Sequence, residues 1–254
     1  IIPFRALSCG TLMALGADEL IMAKGALLSP VDPSLASPYN PPAPGQLQPG
    51  AVQLLPVSVE DVIGYLQLVR EEAGVQGDEG LSKIMAVMSE KVHPMALGAV
   101  YRAREQIRLL ARKLLATHEK DQVRIEKVVD TLTKELPSHH YLISRNEAKE
   151  GLGLKVSEPS ADLDELIWKL YREYSELLQL NVPYNPEEIL GASTSATEIF
   201  DRAVIESLKP DGTLKTHVFR NERESRRVQS TQPGIPFPLL GIQERTIRER
   251  WIEI

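Results

Sequence analysis

The chain has 254 residues, 43% hydrophobic and 25% charged, a balance that supports a sizeable core and excludes wholesale disorder. A formal net charge of −6 argues against nucleic acid as the main partner, since phosphate binding needs clustered positive charge. One cysteine, Cys9, excludes an internal disulfide and a cysteine-based zinc site, and the five irregularly spaced histidines predict no metal and no cofactor.

Residues 1–7 are short, apolar and extended in character. The opening Ile-Ile-Pro-Phe-Arg reads as the tail of a strand, so an upstream portion carrying an anchor or targeting segment is expected. Residues 11–17 suit a buried helix of small and unbranched side chains. Strands are predicted at 19–22 and 26–28, with Lys24-Gly25 turning the chain between them. The apolar run 11–28 is interrupted by Asp18, Glu19 and Lys24, which excludes it as a membrane span. Residues 30–50 hold seven prolines and read as a loop over the surface or toward a partner subunit.

Ser58 and Asp61 predict a helix start, with Val62, Leu66 and Val69 on one apolar face. A second helix is predicted over 81–90. A long third one starts at Pro94 and reaches 117, with a stripe of Leu97, Val100, Ile107, Leu110, Ala111 and Leu114. Residues 122–136 give another amphipathic helix. Ser144 with Glu147 marks a helix start that glycine stops at 151–153. Residues 162–180 form a helix and 194–208 are expected to be helical. Asp211-Gly212 predicts a hairpin turn between short strands. The late arginines, interleaved with glutamates, read as a solvated mixed-charge surface.

Ser8-Cys9-Gly10-Thr11 stands between a strand-like run and a helix. Such a junction exposes a hydroxyl, points helix amides at developing negative charge and offers the amide after the serine as an oxyanion donor. Gly10 removes a side chain that would crowd the substrate carbonyl. The plain alternative is that Ser8 caps the helix. Cys9 is expected to be a small buried filler rather than a reactive thiol.

Residues 6–22, ALSCGTLMALGADELIM, followed by Leu28-Ser29-Pro30-Val31-Asp32-Pro33, resemble the serine dehydrogenase proteinase family, which is related to signal peptide peptidase A. Shorter likenesses follow at Glu90-Lys91-Val92-His93-Pro94 and at Ser138-His139-His140-Tyr141-Leu142-Ile143; together they cover about residues 1–156. The resemblance implies a Clp-protease/crotonase-like α/β domain lacking its first strands, and a serine peptidase acting on peptides or proteins. It implies a homo-oligomer, tethered to a membrane only through an upstream segment, with Ser8 as nucleophile. The remainder, 157–254, is expected to be a mainly helical extension with one hairpin.

A serine nucleophile needs a proton acceptor. The Clp-type histidine position, about 25 residues after the serine, falls near Asp32 instead. Lysine serves as base in the signal peptide peptidase A relatives, provided burial keeps it neutral. Lys91, His93 and His139 are therefore candidates, and a histidine paired with Asp32 would complete a Ser–His–Asp set. His118 and His217 read as surface residues. The family's second oxyanion donor comes from an upstream glycine-rich loop absent from these residues, so this segment alone is expected to be weakened or inactive. Two further readings stand beside peptide hydrolysis. One is a non-catalytic, degenerate homologue serving as an assembly scaffold. The other is acyl-CoA chemistry that would not need Ser8.

Overall fold

Arg5–Ala6 forms β1, and Cys9–Leu15 forms the helix α1. Leu20–Ile21 (β2) and Leu27–Leu28 (β3) follow, with β3 running parallel to β1 so that Ala6 lies opposite Leu28. The computed structural model describes residues 1–31, 34–35, 37–41, 54–136, 138, 140–230 and 238–254. Two short strands, Ser34–Leu35 (β4) and Val57–Ser58 (β5), pair antiparallel. Much of the proline-rich segment, 42–50, lies outside the described residues.

Four helices then build the cover of this unit. They are Val59–Gln67 (α2), Asp78–Lys91 (α3), Pro94–Leu115 (α4) and Gln122–Asp130 (α5). One wide turn prolongs α2 through Leu68–Glu72 and another prolongs α5 through Thr131–Glu135. The predicted α2 face holds, since Val69 is buried while Val62 and Leu66 are half-buried. On α4 the predicted stripe is rotated. Leu110 is 41% exposed and Arg108 only 6%, the inward line running through Ala96, Val100, Arg108, Ala111 and Leu115. Arg108 can turn inward because its guanidinium lies 2.7 Å from Asp130 Oδ1 and donates to Thr133 Oγ1 at 3.1 Å. Likewise α1 is not apolar-buried all round, since Met13 is 74% exposed.

Ile143–Ser144 (β6) pairs antiparallel with β3, giving the order β1-β3-β6. Val156–Ser157 (β7) runs parallel to β2. Leu15, Met22, Leu28, Ile125, Val129, Leu132, Ile143 and Ala148 share one core that joins α1, the sheets, α4 and α5. The predicted start at Ser144 is a reciprocal capping box: the Ser144 N–H donates to Glu147 Oε2 (2.8 Å) and the Glu147 N–H to Ser144 Oγ (3.3 Å).

Helix α4 is fastened to α5 by charge. Arg112 donates from Nε and Nη2 to the two oxygens of Glu126 at 2.6 and 3.0 Å, a bidentate pair. Arg112 holds the Glu126 carboxyl below its ordinary range, and Lys134 with Arg108 does the same for Asp130. Folded carboxyls that lose protons more readily than unfolded ones give their full stabilisation above the unfolded range, near pH 4, and lose it as pH falls from there through the lower folded range. The urea midpoint is therefore expected to fall between pH 5 and pH 3, with a shallower fall in Glu126→Gln. An equal slope in the variant would remove this pair from the account.

The chain divides into Ile1–Asp164 and Glu165–Ile254, the division falling inside Ala161–Leu177 (α6). The second unit corrects the expectation of a mainly helical extension. After Pro186–Leu190 (α7) it is an antiparallel sheet ordered β10-β9-β8, with strands Ser195–Leu208 (β8), Leu214–Ser230 (β9) and Leu239–Glu253 (β10). Residues 194–208 are thus a strand: their apolar side chains at 199, 203 and 200, 204 keep helical spacing too, and pairing with β9 settles the ambiguity. The Asp211-Gly212 turn is present, with Gly212 at φ +82°, but it joins long strands. The arginines there form cross-strand pairs, Arg220 with Asp201 at 2.8 Å and Arg245 with Glu224 at 3.2 Å. Across the described residues the protein is mixed α/β, and no helix is long and apolar enough to cross a membrane.

Candidate active site

Ser8 sits in the turn that connects β1 to α1. The Gly10 N–H donates to the Leu7 carbonyl at 2.8 Å, closing a four-residue turn over Ser8 and Cys9. Ser8 has φ +49° and ψ −105°, the first central position of a type II′ turn, where glycine is normally required. A side chain there costs about 1–3 kcal/mol of backbone strain. Only one other described non-glycine residue, Gln179, has positive φ.

The strain is held by a small network. The Ser8 N–H donates to Ser29 Oγ (2.8 Å), whose hydroxyl donates to the Pro30 carbonyl (2.9 Å). Thr11 is fully buried, its Oγ1 lying 2.8 Å from the Ala6 carbonyl and 2.9 Å from that of Ser29, and it accepts from the Ser29 N–H at 3.1 Å. The end of β3 is thereby tied to both sides of the turn. Gly10 serves this closeness: a Cβ there would meet Ala6 Cβ at 3.2 Å, so helix and strand approach more tightly than a larger residue allows. The structure thus gives Gly10 a packing role against β1.

The Ser8 side chain makes no capping bond to α1 and is half-buried, so the plain capping reading does not describe it. Cys9, expected inside, is exposed at the first position of α1. At the other end of α1, His118 Nε2 lies 2.9 Å from the Leu15 carbonyl and donates to it. His118 is thus a half-buried clamp and not a surface residue. His217, also half-buried, stands 3.7 Å from Glu253 in the second unit.

The candidate bases are not gathered around Ser8 among the described residues. Asp32 and His139 lie outside them. Lys91 ends α3 with its side chain exposed, without the desolvation a lysine base requires. His93 caps α4, its Nδ1 accepting from the Met95 N–H at 3.2 Å and its ring stacked on Tyr39 at 4.8 Å. The chain just after His139 is well anchored. Tyr141 donates to Glu147 at 2.5 Å, a contact that lowers the Glu147 carboxyl and raises the Tyr141 hydroxyl, and Ile143 then pairs with Leu28. No group of three metal-ligating side chains is found among the described residues.

Sequence reasoning gave no role to Thr11 and Ser29, which position the turn. Their signal was available only as a spacing: a small hydroxyl three residues after Ser8 and another just before Pro30. Thr11→Val keeps the shape but strips the Ser29 N–H of its acceptor and the Ala6 and Ser29 carbonyls of their donor, and is expected to cost about 1–3 kcal/mol. A urea midpoint within error of the parent would show that the network does not hold the turn.

No protein-family model, no characterised protein and no solved structure matches the chain.

Proposed function

We propose that the protein is a serine-type peptidase of the Clp-protease/crotonase class, cleaving peptides or proteins through an acyl-enzyme on Ser8. The observation that carries this reading is the backbone of Ser8, a serine kept at a glycine-favoured φ/ψ on a strand-to-helix turn. Evolution tolerates such strain where a side chain must be aimed, and a nucleophile elbow is that case. The supporting sequence is the long likeness around residues 6–22. A β-strand, a helix and a returning parallel strand are also the framework on which that class builds its site.

In this mechanism Ser8 Oγ attacks the scissile carbonyl while its proton passes to a base, which returns it to the leaving amine. The Cys9 N–H, next in the chain at the start of α1, donates to the oxyanion. His139 oriented by Asp32 is the proposed base; Lys91, exposed at the end of α3, lacks the desolvation that role needs. Assembly into a homo-oligomer enclosing the sites belongs to the same proposal.

The test is pre-steady-state hydrolysis of an activated ester by the intact protein. The reading predicts a burst of one product per chain followed by slower turnover, absent in Ser8→Ala. A burst that survives in Ser8→Ala, or hydrolysis that never occurs, would instead favour acyl-CoA-type chemistry or a non-catalytic scaffold respectively.

A further inference from the structure

The first unit contains a cavity that the Ser8 chemistry does not use. It has a volume of about 440 Å³, within the range of small-molecule sites. Its floor is apolar, made by Leu115, Ile125, Val128 and Leu152, each less than a tenth exposed. Its rim carries both signs of charge, Arg124 and Lys155 against Asp18 and Glu119.

The rim is built. Arg124 Nη2 donates to the Gly153 carbonyl at 2.7 Å while Nη1 stands 3.1 Å from Glu119 Oε2. Gly153, at φ +68°, makes that seat possible, for a Cβ there would lie 3.2 Å from Arg124 Nη2. Glu119 is fixed in turn by the N–H groups of Asp121 and Lys120, at 2.9 and 2.8 Å, which hold its carboxyl below the usual carboxylate range. A guanidinium has five N–H donors and an ammonium three, so Arg124 and Lys155 keep donors beyond their protein partners. An apolar floor beneath opposite charges is complementary to a ligand with an apolar body and both charges at one end.

We propose that this cavity binds an apolar amino acid in its zwitterionic form, the side chain on Leu115, Ile125 and Leu152. The carboxylate meets Arg124 and Lys155, and the ammonium meets Asp18 and Glu119. Glycine lacks the apolar body, and N-acetyl-leucinamide lacks both charges. The site adjoins His118, which holds the end of α1 whose other end carries Ser8.

Calorimetric titration of L-leucine into the Ser8→Ala protein tests this independently of any peptidase activity. Saturable binding is expected, weakened about tenfold or more in Arg124→Gln, by N-acetyl-leucinamide and by glycine, as the loss of a charge-assisted contact or of the apolar body implies. Arg124 and Lys155 are exposed, and Lys155→Gln provides a second surface change that leaves the core intact. Absence of saturable leucine or phenylalanine binding would overturn the proposal, as would equal binding of N-acetyl-leucinamide or unchanged affinity in both variants.

Discussion

Ser8→Gly is expected to stabilise the fold while abolishing acylation. At φ +49° a serine bears strain of about 1–3 kcal/mol that glycine does not, and glycine's extra unfolded-state entropy returns about 0.5–1 kcal/mol of it. For a chain of this size the difference, about 0.5–2 kcal/mol, corresponds to a rise of about 1–8 °C in thermal midpoint. Ser8→Ala keeps a Cβ in the same backbone conformation, so it should lose the chemistry without the gain. Loss of a serine nucleophile lowers kcat by as much as on the order of 10⁶-fold. The pair of variants separates the hydroxyl from the backbone: relief of strain is seen in the glycine variant alone, and chemistry is lost in both. If Ser8→Gly melts lower than the parent, the turn is not strained as described.

Leu132→Ala should give the largest loss of stability. Leu132 is 1% exposed and packs in the shared core with Ile125, Val129 and Leu28. Its carbonyl also accepts from the Val31 N–H at 3.0 Å, just beyond the Ser29–Pro30 segment that holds Ser8. Truncation removes buried methyl groups and leaves a void, a combined cost of about 2–5 kcal/mol. The backbone bond survives, so the loss is one of packing and should show in the urea midpoint. Because the segment leaning on Leu132 carries Ser29, acylation should slow as well. A destabilisation below about 1 kcal/mol would mean that the core relaxes around the site.

What the sequence revealed follows the strength of its local signals. The α4 start at Pro94 and the reciprocal Ser144–Glu147 cap were readable because each depends on residues within a few positions: a proline that has no N–H to leave unpaired in the first turn, and two side chains that accept from each other's amides. The orientation of α4 was not readable, since Arg108 turns inward only through partners on α5, some 22 or more positions away in the chain (Asp130, Thr133). Residues 194–208 read as helical in the sequence because apolar side chains four apart fit either period; only the pairing with β9 decides for a strand. At the site, the strand–serine–helix order was visible, but the φ of Ser8 was not. Nor was the bonding of Thr11 and Ser29, which depends on β3 returning beside β1. The buried role expected of Cys9 failed because the turn places it on the outer side of α1.

The proposed peptidase chemistry needs a nucleophilic Ser8, and a fluorophosphonate reports it most directly. Treated intact protein, digested and read by mass spectrometry, should carry one adduct per chain, on the peptide containing Ser8, and Ser8→Ala should carry none. An adduct elsewhere, or an unmodified Ser8 under conditions that label a control serine hydrolase completely, would contradict it.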